Sequence, residues 1–351
     1  MKSETVSVGT PAQVDAEGVL KSAFVTFIWV IANIAASTSV VMANKAVIQT
    51  YGFHFVPTLN LCHYLTTLIF LEISSRASGT EESEPAEAGP RVPRTEAIIL
   101  GVSSVAAISS QNLTLALNSV GFYQMSKLLI IPAVIVMDRV SHNMGWRESN
   151  KTYSGKTLFS LFIVAIGFWL SAVGDVQLTT LGFFVGMLLV LFTALFQFVQ
   201  DGRVKRLGVS PSELTRAFAG PQALAGLALQ FPFDVMLPEL TGNLDSNVFR
   251  FEYTTPLLLA LAASCLSAVV IQVTAVGVIG RTSAVTYQVI GQVKTLLAIL
   301  GGFFFFDTAA PAGALMLKVT GIAAGLFGAT LYANQTLKER GQVETDLLGC
   351  I

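Results

Sequence analysis

Charge is scarce in this chain, and acidic charge is missing where it would matter most. Only 12% of the residues are Asp, Glu, Lys or Arg and 53% are hydrophobic, whereas an ordinary soluble domain carries about a quarter charged residues. That balance excludes a soluble globular enzyme and indicates an all-α membrane protein that crosses the bilayer many times. Carboxylates such as Glu72, Asp138, Asp175, Asp201, Asp234 and Asp307 lie toward the ends of the apolar runs, and none is near a middle. Proton-coupled carriers commonly use an intramembrane carboxylate as the relay, so proton coupling loses support. Cys62, Cys265 and Cys350 are scattered and odd in number, which fits neither a disulfide framework nor a metal site. His54, His63 and His142 show no ligand spacing, and His63 reads as a packing residue. Phosphate-binding glycine loops and nucleophile motifs are absent. No catalytic residue, cofactor or metal is therefore expected, and nothing points to nucleic acid.

The first twenty residues contain Glu4, Asp15 and Glu17, with Lys2 and Lys21 at the edges and no apolar run before Phe24. This argues against a cleaved signal peptide and against an Arg-rich transit peptide, leaving the first span as the insertion signal.

A spanning helix needs about 20 apolar residues. Ten such runs are present, at 23–50, 55–75, 96–117, 120–138, 157–173, 178–200, 213–237, 256–279, 282–305 and 312–334. With the loops numbered alternately, one side holds Lys2, Lys21, Arg76, Arg139, Arg203, Lys205, Arg206, Arg281 and Lys338 among others, while the opposite side holds only Arg250. The positive-inside rule then predicts cytosolic termini. Residues 1–22 and 336–351 are read as cytosolic tails around one ten-helix domain at 23–335. Its cytosolic loop at 77–94, with the acidic, Pro- and Gly-rich run SGTEESEPAEAGPRVP, has the composition of a disordered linker. Basic loops such as GRVKRL at 202–207 read as contacts to anionic lipid.

Two spans echo one another. The fourth contains Tyr123-Gln124-Met125-Ser126-Lys127-Leu128-Leu129, and the ninth contains Tyr287-Gln288 followed by Gly291, Lys294, Thr295, Leu296 and Leu297. In each, the lysine shares a helix face with the tyrosine. An odd number of crossings separates them, so they enter the membrane in opposite directions, as in an inverted-topology repeat. The repeats are expected at about 23–175 and 178–335.

Three lysines, Lys45, Lys127 and Lys294, sit inside long apolar runs with no acid nearby in sequence. A cation in a bilayer costs about 2.5–3.5 kcal/mol on insertion scales and usually awaits a partner. Lys294 lies near the middle of its span, with Gly291 one turn earlier to leave room. Lys127 precedes Pro132, which deprives a helical carbonyl of its donor and kinks the helix. Lys45 is nearer a span end, and there snorkelling competes with function. Lys318 reads as an interfacial lysine.

These motifs carry a family resemblance. Asn44-Lys45 with Phe55-Val56-Pro57 and His63, Val120 through Lys127, and Thr282 through Thr295 resemble the nucleotide-sugar and triose-phosphate translocator group of the drug/metabolite transporter superfamily, over about residues 24–335. The resemblance implies that the lysines at the three motif positions line a central site and contact substrate phosphates, which brings Lys45 into the set. Tyr123, Gln124, Tyr287, Gly291 and Thr295 join them as candidate substrate-binding residues. Triose-phosphate carriers have Lys-Arg where this chain has Lys294-Thr295. The Lys-Thr pair looks like the endomembrane branch, whose members carry UDP-galactose, UDP-rhamnose or UDP-xylose. The Gly-Ala-Leu-Asn-Lys motif of GDP-mannose carriers is absent. By resemblance the chain is expected to be a Golgi or ER antiporter that exchanges a nucleotide sugar for a nucleoside monophosphate, with a homodimer left open. The competing readings are a sugar-phosphate/phosphate exchanger, a proton-coupled metabolite exporter and a non-transporting scaffold.

Overall fold

The computed structural model describes residues 16–77, 92–145, 154–242, 247–281, 284–306 and 310–339. Among them every regular element is helical. The helices are α1 (Ala16–Lys45, continued by a π turn at Ala46–Thr50), α2 (Val56–Ala77), α3 (Arg94–Leu117), α4 (Val120–Leu128), α5 (Ile130–Asn143), α6 (Gly155–Val173) and α7 (Thr180–Leu207). Then follow α8 (Pro211–Gln230), which passes through a π turn at Phe231–Met236 into α9 (Leu237–Thr241), α10 (Thr255–Arg281), α11 (Ala284–Phe305) and α12 (Ala312–Glu339). Nine helical rods among the described residues are long and apolar enough to cross a membrane, and α11 adds a shorter apolar stretch at Ile290–Phe305. Of the expected tails at 1–22 and 336–351, residues 1–15 and 340–351 lie outside the described residues, as does most of the 77–94 loop, while 16–22 and 336–339 are helical.

Local chemistry explains where the rods start and break. Ser119, Ser154, Thr179 and Ser210 each accept a hydrogen bond from a backbone N–H three residues on, at the starts of α4, α6, α7 and α8, as N-cap hydroxyls do. Gly208 ends α7 at φ 64°, a left-handed stop that favours glycine. The expected kink in the fourth span falls at Leu129, between α4 and α5. Pro132 thereby sits in the first turn of α5, where its missing N–H has no intrahelical partner to lose. Several helices overrun the expected span limits. α1 begins at Ala16, α7 runs to Leu207 and α12 runs to Glu339, because polar residues prolong a helix beyond the apolar layer.

The helices close into a ring. Side-by-side packing runs from α11 to α1, α10, α2, α8, α3 and α7, then to α4 and back to α11. Short side chains set several of these neighbours. Gly226 of α8 lies against the Tyr64 ring of α2, Gly101 of α3 against Pro221 and Gln222 of α8, and Gly186 of α7 against Phe122 of α4. Outside the ring, α6 and α12 form the most extensive pair and buttress α4 and α11. A Cβ on Gly321 would come within 2.2 Å of the Ser171 backbone nitrogen, and one on Gly167 within 2.3 Å of that of Gly325. The glycine run at Gly321–Gly328 is therefore a backbone-to-backbone seam. Phe304 and Phe305, 76% and 77% exposed, lie on the outer surface that lipid would cover.

Replacing Gly167 or Gly321 by alanine is expected to force α6 and α12 apart, costing about 1–3 kcal/mol as overpacking does. The readout is a lowered Tm of the purified protein in detergent. Gly220→Ala on α8, where a Cβ meets nothing within 4 Å, is the control and is expected to leave Tm unchanged or raise it.

Candidate functional site

The site is built where α4 crosses α11. A Cβ on Gly302 would meet the Val120 side chain at 2.4 Å, so the end of α11 presses against the start of α4. Ile299, three residues earlier in α11, shares one apolar cluster with Phe122, Met125 and Leu128 of α4. Gly302 on Val120 and Ile299 beside Met125 and Leu128 make α4 and α11 antiparallel, and because Lys127 lies seven residues from Val120 and Lys294 eight from Gly302, the two lysines come to similar depths. Lys294 has about 15 Å of helix on either side of it within α11, and it is therefore near the middle of the rod. Both lysines are half-buried. The ring brings together two cations that are 167 positions apart in the chain.

The surroundings of the pair suit an anion that carries a ring. The Lys127 ammonium lies over the Tyr123 ring at 5.2 Å from its centroid, a cation–π contact that aims the cation. Tyr123 and Gln124 are buried, at 5% and 4% exposure. Nothing lies within 4 Å of where a Cβ on Gly291 would sit, so open space adjoins α11 one turn before Lys294. The Thr295 hydroxyl donates to the Gly291 carbonyl at 3.0 Å and lies folded along its own helix. The Tyr287 side chain lies outside the described residues.

Lys45 is placed differently. It is fully buried, and its ammonium donates to the carbonyls of Leu115, at 2.7 Å, and Asn118, at 2.5 Å. Those carbonyls end α3, where the negative pole of a helix attracts a cation. They adjoin the start of α4, about two turns or 10 Å from Lys127 along that helix. Position in a span could not have revealed this, because the acceptors are backbone atoms of a distant helix.

Sequence reasoning also missed a buried ion pair. Lys318 of α12, read above as interfacial, is 7% exposed and lies 3.5 Å from Asp175, which follows α6. Asp175 also accepts from the Ser119 hydroxyl and from the Gln177 backbone N–H. Ser119 in turn accepts from the Phe122 N–H at 3.0 Å. One carboxylate thus ties the buttressing pair α6–α12 to the N-terminus of α4, the helix that carries Tyr123, Gln124 and Lys127.

A ring of apolar helices that carries two half-buried cations suits a membrane transporter. No family model matches the chain, but individual relatives do. It is 33% identical over 314 residues to UDP-xylose transporter 2 of Arabidopsis thaliana, covering 90% of this chain and 82% of that one. It is 35% identical to UDP-xylose transporter 3 of the same plant, covering 86% and 78%. It is 30% identical to UDP-rhamnose/UDP-galactose transporter 2, also from Arabidopsis thaliana, covering 86% and 80%. The chain belongs to the nucleotide-sugar transporter family, whose members are transporters and not enzymes.

Lys318→Met is expected to destabilise the protein by about 3 kcal/mol, because it leaves the Asp175 carboxylate buried without its cation. Combining it with Asp175→Asn is expected to recover most of the loss, measured as Tm in detergent.

Proposed function

We propose that this protein is a nucleotide-sugar antiporter that takes a UDP-sugar into the lumen of the Golgi or ER in exchange for a nucleoside monophosphate. The observation that carries the reading is the pair of half-buried lysines on the packed, antiparallel helices α4 and α11, with the Tyr123 ring beside Lys127. Two like charges at similar depths favour occupancy by an anion, and lysines serve oxyanions as mobile point charges. Tyr123 offers a face or a hydroxyl to a nucleoside. Its relatives' names supply the sugar class, UDP-xylose and UDP-rhamnose/UDP-galactose. Thr295, with its hydroxyl engaged by the Gly291 carbonyl, stands where a compact phosphate clamp has arginine, which favours the larger substrate over a sugar phosphate.

The exchange mode follows from the same charges. An empty site leaves two cations facing one another in a low-dielectric ring, which disfavours return of the unloaded carrier. Alternating access comes from two inverted five-helix repeats rocking about the site. In support, most of the larger packing contacts pair off when α1 is exchanged with α7, α2 with α8, α3 with α10, α4–α5 with α11 and α6 with α12. The α1–α10 contact then maps onto α3–α7, α3–α8 onto α2–α10, and α4–α6 onto α11–α12. Ten crossings with cytosolic termini complete the reading. Lys45 contributes in the state in which α1 and α3 have parted.

Proteoliposomes preloaded with UMP or GMP and offered a panel of labelled nucleotide sugars test this directly. Uptake of UDP-sugars is expected only where a nucleotide is inside, and equal, sustained uptake by empty vesicles overturns obligatory exchange. Lys127→Met and Lys294→Met are each expected to lower uptake by about 10- to 150-fold, the worth of a charge-assisted hydrogen bond of ~1.5–3 kcal/mol, while Tm stays within a few degrees of the parent.

A further inference from the structure

One end of the ring is bolted by polar side chains. At the level of Asn44 and Lys45 a hydrogen-bond chain crosses four helices. The Ser264 hydroxyl of α10 donates to Asn44 Oδ1. Asn44 Nδ2 donates to Asn112 Oδ1 of α3 at 3.1 Å, and Asn112 Nδ2 donates to Asn60 Oδ1 of α2 at 2.5 Å. Asn60 Nδ2 then donates to Ser109 Oγ of α3 at 3.2 Å. His63 Nε2 lies 2.7 Å from Ser264 Oγ. Because the serine proton is engaged by Asn44, His63 must be the donor there. Every link points the same way, an arrangement in which each bond polarises the next. Asn44, Asn60, His63, Asn112 and Ser264 are all buried.

The bolt spans the ring instead of following it. In the order α11, α1, α10, α2, α8, α3, α7, α4, α1 and α3 stand opposite one another. Yet here they touch, through Asn44 with Asn112 and through the Lys45 ammonium on the carbonyls of Leu115 and Asn118. Exchanging the two halves of the contact pattern as above carries α1–α3 onto α7–α10 and α2–α3 onto α8–α10. Among the described residues neither of those pairs packs comparably, so the ring is drawn together at this end and not at its counterpart. Above the bolt the rings of Phe53, Phe55 and Phe251 meet edge to face at 5.1–5.5 Å, joining the α1–α2 connection to the segment before α10. The shut end is the one where α1, α3 and α11 finish and α2, α4, α10 and α12 begin, at the opposite end of the rods from the start of α1 and the end of α12.

We propose that Asn44, Lys45, Asn60, Asn112 and Ser264 are the gate of the mouth at that end, shut in this structure, and that α1 and α3 must part there for solute to leave. Neutral amides suit the task. A neutral hydrogen bond contributes little net, so the links together hold a closed state and each is individually weak enough to release. Lys45 closes on backbone carbonyls that need no carboxylate, so an arriving phosphate can draw it away without leaving a buried acid behind.

This inference rests on the transport reading, and its test separates the two. Cys62, Cys265 and Cys350 are replaced by serine, Asn44→Cys and Asn112→Cys are introduced together, and the pair is joined by a short thiol cross-linker that a reductant cleaves. The joined protein is expected to bind UDP-xylose with a Kd within about threefold of the unjoined one and to lose exchange more than tenfold, with exchange returning on reduction. Undiminished exchange by fully joined protein overturns the gate. If the unjoined protein binds no nucleotide sugar, the transport reading fails, and the gate is read without substrate. A lone Lys127→Cys in the serine background is expected to react with an impermeant maleimide from the face bearing the start of α1 and the end of α12, and from the other face only after Asn112→Leu. Equal reactivity from both faces with Asn112 intact overturns the gate, even where the double cysteine variant fails to fold.

Discussion

The structure depends on holding two ammonium groups at similar depths inside a wall of apolar helices. Lys127 and Lys294 come from segments that share no local contact, so their alignment is an alignment of whole rods. Gly302 lets α11 seat against Val120, and from that point each helix descends or climbs by about 1.5 Å per residue until the lysines come to similar depths. The Asp175–Lys318 pair and the glycine seam between α6 and α12 fix the same rods from outside. A disturbance of either support would shift the cations relative to one another.

Much of this was legible in the sequence, for physical reasons that differ by feature. The apolar runs and their breaks follow from composition and from hydroxyl caps, and of the ten expected spans nine appear among the described residues as rods long and apolar enough to cross, the ninth span showing only a shorter apolar stretch. Lys127 and Lys294 stood out because an ammonium set deep in an apolar run cannot easily reach the interface by extending its stem. Their mutual register did not, since it is set by a glycine whose spacing gives no signal. Lys318 and Asp175 looked interfacial because each is near a rod end, and only packing shows that these ends are covered. Asn44, Asn60, Asn112 and Ser264 were invisible as a group: neutral polar residues on four helices have no common spacing.

Two kinds of polar chemistry thus divide the interior. Near the middle, half-buried cations suit an anionic solute. Toward one end, amides and hydroxyls satisfy one another and shut the ring, and Lys45 stands between the two uses. An ammonium that can serve either helix carbonyls or a phosphate gives the loaded and empty states different contacts, which is what a ligand needs to shift a conformational balance.

The claim that the cation pair reads phosphate is tested most directly by measuring how affinity depends on phosphate alone. Titration calorimetry of the purified protein with uridine, UMP and UDP-xylose is expected to give clear binding of the two phosphorylated ligands. Uridine should bind at least tenfold more weakly, and Lys127→Met with Lys294→Met should remove the difference. Binding of uridine as tight as that of UMP would contradict the account.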